Sequence, residues 1–174
     1  MVTIQLLGPQ HSASYRKARL DCLHFFPDNF GTTYEEEVVK PELFIESMLK
    51  EQNPNVFMFG AFDGDGCIGL CGFIREGRTR TLHRGELVQM YVHPDYHGQG
   101  IAKQLVQYTI HEAFRMPGIE QITLSAVANN TAAFSLYQKA GFEQYGLAKN
   151  YFRVNNAVYT DQVFMICYKK QMLK

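Results

Sequence analysis

Residues 86 to 103 carry groups that could grip an anion. A strand-like run, Glu86-Leu87-Val88-Gln89-Met90-Tyr91-Val92, ends at His93-Pro94, and His97-Gly98-Gln99-Gly100-Ile101-Ala102-Lys103 then enters a periodic helix. Small residues at 98, 100 and 102 let main chain approach a ligand with little or no Cβ in the way. The first turn of such a helix leaves unpaired N–H groups, backed by about half a positive charge from the helix dipole. That arrangement holds phosphate, and Lys103 adds a cation just inside it. A turn that merely joins strand to helix would look the same. Two familiar phosphate loops do not fit: the dinucleotide fingerprint needs a third glycine where Lys103 stands, and the Walker pattern needs Gly-Lys-Ser/Thr.

Other reactive side chains are sparse. Cys22, Cys67, Cys71 and Cys167 are too scattered for a disulfide framework, and no partner set completes a metal site around Cys67 and Cys71. Small buried thiols are the reading we adopt, with no metal. Seventeen basic side chains balance seventeen acidic ones, so no global field recruits nucleic acid or an anionic membrane. The N-terminus lacks a basic, apolar leader and no window nears the roughly 20 apolar residues of a membrane span. A cytoplasmic protein is the expectation.

The elements that must position these groups can be read from periodicity. At 174 residues and 46% hydrophobic, the chain reads as a single domain, residues 1–174, with a real core. Ile4 to Leu7 is a short strand, and Ser12 to Phe26 a helix with Tyr15, Ala18, Cys22 and Phe26 on one face. Pro27 to Gly31 breaks it. A second helix is expected from Pro41, with Phe44, Met48 and Leu49 as its apolar stripe. Val56 to Phe62 and Cys67 to Ile74 form a hairpin across Asp63-Gly64-Asp65-Gly66. The next helix has Ile101, Leu105, Thr109 and Ala113 on one line and Ala102, Val106, Ile110 and Phe114 beside it. Ile122 to Val127 is a strand, Thr131 to Ala140 a helix stopped by Gly141, and Val163 to Tyr168 a last strand. Mixed order of this kind predicts α/β with one mixed sheet.

The same residues carry a family resemblance. Val92-His93-Pro94 followed by His97-Gly98-Gln99-Gly100-Ile101-Ala102 resembles the acetyl-CoA loop, Q/R-x-x-G-x-G/A, of the GCN5-related N-acetyltransferases (GNAT), with His97 where Gln or Arg is usual. Asn130-Thr131-Ala132-Ala133-Phe134-Ser135-Leu136-Tyr137-Gln138-Lys139-Ala140-Gly141-Phe142 resembles the family's N-x-x-A-x-x-L-Y-x-x-x-G-F. The likeness runs from about residue 54 to the end. It implies an α/β (α+β) domain whose mixed, mostly antiparallel sheet of about six or seven strands is flanked by about four helices.

It also implies roles. Acyl transfer from a thioester to an amine needs a neutral amine, a stabilised oxyanion and a proton for the departing thiolate. An alkyl ammonium of pKa about 10.4 is neutral in only about 1 molecule in 2,500 at pH 7, a handicap of about 4.6 kcal/mol. A carboxylate accepting that proton removes much of it. Glu86 stands where histone acetyltransferases of the family carry this base, and Tyr137 where the family's acid faces the sulfur. Strand alternation would put Glu86, Val88, Met90 and Val92 on one side, barring a bulge such as the family carries there. Main chain at Met90, Tyr91 and Val92 would bind the pantetheine arm, and residues from His97 through Lys103 the pyrophosphate. Asn130 would cap a helix and touch the coenzyme.

The acceptor is less legible. The resemblance puts the early helices and their loop against it, so Phe30 and Tyr34 are the candidate substrate residues, while Glu35-Glu36-Glu37 reads as a solvated face. The expected reaction is acetyl transfer from acetyl-CoA to a primary amine of a small molecule or peptide. It would run by direct attack, since no cysteine lies in either motif. A non-catalytic acetyl-CoA sensor, or a transferase for another acyl-CoA, would share the cradle. A homodimer through the final strand is compatible with such a fold.

Overall fold

A computed structural model, which describes residues 1–154 and 157–171, contains one seven-stranded sheet. In chain order the elements are β1 (Thr3–Leu6), α1 (Ser12–Phe25), α2 (Tyr34–Val38), α3 (Phe44–Lys50), β2 (Val56–Asp63), β3 (Gly66–Arg75), β4 (Arg84–Val92), α4 (Ile101–Arg115), β5 (Gln121–Val127), α5 (Thr131–Lys139), β6 (Glu143–Arg153) and β7 (Tyr159–Tyr168). The sheet order is β1-β2-β3-β4-β5-β7-β6. Neighbours pair antiparallel except β4 and β5, which run parallel. This is the expected α/β class, with seven strands.

Two cores lie on opposite faces of the sheet. Met58, Leu70 and Tyr91 pack with Tyr15, Ala18 and Cys22 of α1 and Ile45 and Leu49 of α3. Their chain neighbours Phe59, Cys71 and Val92 point the other way, against Leu105, Val106 and Ile110 of α4. Burial on both faces is why β2 and β3 read as continuous apolar runs rather than alternating ones.

Three local readings need correction. The helix expected at Pro41 starts three residues later, because the Glu46 carboxylate accepts from the Leu43 N–H at 3.1 Å and sets the first turn there. Its buried side chains are Ile45, Glu46 and Leu49; Phe44 is 61% exposed and belongs to no core stripe. A short α2 also appears, where Thr33 and Glu36 cap each other's main chain at 2.8 and 3.3 Å. Finally, β6 adds a strand that periodicity does not predict. No residue of it is fully buried, so no apolar alternation marks it.

Gly85 shows how tightly β4 lies on β3. A Cβ there would sit 2.1 Å from Phe73 Cζ and 2.7 Å from the Ile74 carbonyl oxygen. Phe73 is wholly buried and cannot yield. Gly85→Ala should therefore cost about 1–3 kcal/mol of stability, lowering Tm by roughly 2–4 °C per kcal/mol in a scanning calorimeter.

Candidate active site

Strands β4 and β5 pair only from Arg84 to Glu86 against Gln121 to Thr123. Beyond Glu86 they part, and the gap opens into a cavity of about 800 Å³. Residues 86–92 line one side of it and Ser125, Ala126 and Val127 the other. A volume of this size suits a substantial organic ligand.

A bulge shapes the β4 side. Leu70 pairs with Tyr91 and Gly72 with Val88, so Cys71 alone faces both Gln89 and Met90. Gln89 takes φ +54°, a left-handed conformation that a non-glycine residue adopts at a cost. Its Oε1 accepts from the Tyr15 hydroxyl of α1 at 2.9 Å. The extra residue overturns the simple alternation expected for Glu86, Val88, Met90 and Val92. Val88 packs on the α1 side with Tyr91, whereas Met90 and Val92 pack on the α4 side with Leu87. The ring of Tyr91 is thus committed to the core, and its main chain is what it can offer a ligand.

Glu86 sits at the fork. Its side chain is open to the cavity, yet the surrounding walls remove enough water to raise its carboxyl above the usual range, with Glu76's charge a smaller contributor. Tyr137 of α5 lines the same cavity, its ring edge-on to Phe142 at 6.0 Å. Burial pushes the Tyr137 phenol strongly upward, with the neighbouring Cys71 and Cys22 thiols adding a little. At neutral pH the phenol keeps its proton. Its hydroxyl has no hydrogen-bond partner among the described residues.

The loop before α4 has the anticipated glycines for a sharper reason than space. Gly98 and Gly100 adopt φ +76° and +77°, and a Cβ on either would meet nothing within 4 Å. Left-handed backbone, not crowding, requires glycine. Gly100 is the N-cap of α4 and Ala102 lines the cavity, while the side chain of Ile101 is in the core. Gln99 and Lys103 are exposed and line no part of the cavity. His97 is anchored: its Nε2–H donates to the Val92 carbonyl at 2.8 Å and its ring stacks on Phe26 at 5.9 Å. Asn130 caps α5, accepting from the Ala133 N–H at 3.1 Å, and also lines the cavity.

The opposite wall comes from the loop after α1 and from the β6–β7 hairpin. Phe26, Asn29, Phe30 and Gly31 face Tyr151, Phe152 and Gln162. Arg19, buried in α1, holds this loop by lying 5.0 Å over the Phe30 ring and donating to Thr32 Oγ1 at 2.8 Å. Tyr34 is not in the cavity. It lines an adjoining pocket of about 460 Å³ that shares Phe30, Gly31 and Phe152. Of the three acids, Glu35 borders that pocket, Glu36 caps α2 and Glu37 pairs with Lys40 at 2.7 Å. Sequence reasoning missed Gln89, Tyr15 and Gln162. The first two meet only through a contact spanning 74 positions. Gln162 is a polar residue just outside the apolar run Val163 to Tyr168, from which the last strand is expected.

Comparison with known proteins agrees with this geometry. The model of the acetyltransferase (GNAT) family matches residues 19–142, well over half of the chain. The chain belongs to the GNAT family. This GNAT protein is 32% identical over 105 residues to the N-alpha-acetyltransferase RimI of Mycobacterium tuberculosis, 60% of this chain and 63% of that one. It is 32% identical over 72 residues to the ribosomal protein bS18-alanine N-acetyltransferase of Escherichia coli K12, covering 41% and 48% of the two chains. The matches thus span less than two thirds of these relatives. A GNAT acetyltransferase structure from Streptococcus pneumoniae superposes with TM-score 0.81 at 22% identity, over 97% of this chain and 99% of the other, and so shares the fold.

Proposed function

We propose that this GNAT protein transfers the acetyl group of acetyl-CoA to a primary amine of a small molecule or peptide, by direct attack in a ternary complex. The carrying observation is that Glu86 and Tyr137 line one cavity made by the splay of β4 from β5, with a left-handed glycine loop at its mouth. N–H groups at the start of α4 suit a diphosphate, and the unpaired edge of β4 beyond Glu86 suits the amides of a pantetheine arm. Acetyl-CoA supplies the activated acyl group as a thioester. Glu86 takes a proton from the ammonium, directly or through water. Main-chain N–H groups at the bulge donate to the carbonyl oxygen as it gains charge. Tyr137 gives its proton to the sulfur. None of the four cysteines lines the cavity, and burial pushes the Cys22 and Cys71 thiols up to about 12, which supports attack without an acyl-enzyme. No described helix is long and apolar enough to cross a membrane. With four free thiols the reading is of a cytoplasmic enzyme.

The test is thiol release from acetyl-CoA in the presence of amines, peptides and aminoglycosides. Release that depends on one acceptor class supports the reading. Absence of any heat with millimolar acetyl-CoA in a calorimeter defeats it.

Glu86 gives the reaction a pH signature. The base must be ionised, so kcat/KM should rise with pH to a half-point above the ordinary glutamate value of about 4.3. Glu86→Gln should abolish that limb and lower kcat/KM by about 10²–10⁴-fold. Stability moves oppositely. A carboxyl raised in the folded state favours the protonated form, so ionisation above its unfolded pKa destabilises the fold. Glu86→Gln, which never ionises, should match or exceed the parent's Tm at pH 7.

A further inference from the structure

Tyr15 carries a hydroxyl that its apolar surroundings do not ask for. The residue is 1% exposed in α1, within the core it shares with Leu43, Leu70 and Tyr91. A Phe would fill the same space, and a buried hydroxyl is a cost unless it is hydrogen-bonded. Its one side-chain partner among the described residues is Gln89 Oε1 at 2.9 Å, 74 positions along the chain. Burial holds the phenol well above its ordinary pKa, with Arg19 and Gln89 opposing, so the hydroxyl stays protonated and donates. Gln89, in turn, needs holding. It is the surplus residue of β4, and at φ +54° it occupies a region that Gly or Asn visits far more readily. Cys71 alone faces both Gln89 and Met90, and β5 has already parted from β4 after Glu86. The sheet ladder is thus interrupted where this main chain borders the cavity, and the side-chain tether to α1 is a second fixing point.

We propose that Tyr15 is a positioning residue for acyl transfer, holding the β4 bulge through Gln89 so that main-chain N–H groups there meet the carbonyl oxygen as it gains charge. The proposal rests on the transferase reading above and adds the group that fixes this strand. Tyr15 itself does not line the cavity, so it acts only through Gln89, which does. Oxyanion donors work within a narrow range of distance, and a misplacement of about 1 Å can cost about 10²-fold in rate. Without the tether, Gln89 relaxes toward negative φ and the peptide groups on either side of it turn. The glycine loop before α4 would still hold the diphosphate, so the loss falls on turnover rather than on coenzyme binding.

The full chain would be assayed for thiol release with acetyl-CoA and the best acceptor among the amines, peptides and aminoglycosides, beside acetyl-CoA calorimetry and Tm. Tyr15→Phe is expected to lower kcat by about tenfold or more, with both KM values and the acetyl-CoA Kd within about twofold of the parent. Gln89→Gly, which takes left-handed backbone freely but offers nothing to Tyr15, should lose kcat to a similar extent. Adding Tyr15→Phe to Gln89→Gly should change kcat by less than about twofold, because the link is already cut. The Tm effect should reverse sign. Tyr15→Phe lowers Tm in the parent and raises it in the Gln89→Gly background, where the hydroxyl is buried and unpaired. Leu49→Val, which loosens the same core from α3, should lower Tm and leave kcat at the parent value. Lowered Tm with parental kcat in Tyr15→Phe overturns the proposal in favour of a purely structural bond. A weakened acetyl-CoA Kd with parental kcat overturns it in favour of coenzyme binding. Losses that multiply in the double variant overturn the route through Gln89, and an equal kcat loss in Leu49→Val overturns it in favour of general loosening. Absence of thiol release from the parent with every acceptor defeats the transferase reading, and this proposal with it.

Discussion

Tyr137→Phe should depress turnover by about 10²–10⁴-fold while leaving acetyl-CoA affinity at the parent value. The substitution removes one oxygen and keeps the ring against Phe142, so the α5 packing survives. No protein hydrogen bond is lost with the hydroxyl among the described residues. Its strongly raised pKa carries two consequences. The proton is in place at any working pH, and giving it up is harder than for a phenol in water. Transfer succeeds only if the departing thiolate is held in the same water-poor pocket, where its own basicity rises too. Under the proposed mechanism, shared desolvation would match the acid to its partner. Rapid-quench turnover beside calorimetric binding would check this. Equal turnover in parent and variant would remove Tyr137 from the chemistry and leave it as packing alone.

Gly100→Val should weaken acetyl-CoA binding by about 10–100-fold. A β-branched residue is a genuine outlier at φ +77°, and left-handed backbone costs L residues about 1–2 kcal/mol at the least. The loop would relax toward negative φ and turn the first N–H groups of α4 away from the cavity mouth. Gly64 supplies the control. It has φ +56° and open space within 4 Å of where a Cβ would stand, but it sits in the β2–β3 hairpin and does not line the cavity. Gly64→Val should lower Tm comparably and leave coenzyme affinity alone. Similar affinity losses in both variants would mean that global destabilisation, not loop geometry, was being read.

How much of this was legible depended on whether a residue's reason was local. Helix α4 was readable because all eight of its periodic positions, from Ile101 to Phe114, face the core or its margin. Gly98 and Gly100 stood out in the sequence as small residues suited to ligand approach, whereas the left-handed backbone that requires them is visible only in the structure. By contrast, β6 is an edge strand with Tyr145, Leu147 and Tyr151 largely exposed, so its pairing to β7 leaves no periodic trace. Pro41 pointed to a helix start, but the side chain of Glu46 decided the matter from within the next turn. Tyr34 lies close to Phe30 in sequence, yet the turn capped by Thr33 swings it into the neighbouring pocket. The unsatisfied oxygen of Gln162 is a property of three strands at once and could not be seen in any one of them.

The surplus residue in β4 has an implication for how this strand tolerates change. Leu87 and Val88 already face opposite layers, and Met90, Tyr91 and Val92 resume the same sorting as though Gln89 were not there. Excising Gln89 would leave every apolar side chain on the layer it now serves, in a straighter strand free of left-handed backbone. The apolar sorting therefore does not call for the residue; what Gln89 supplies is the acceptor for the Tyr15 hydroxyl and the shape of the ligand-facing edge. The strand thus carries one residue more than its packing pattern needs, and the irregularity falls where β4 borders the cavity, held there by the Tyr15 hydroxyl.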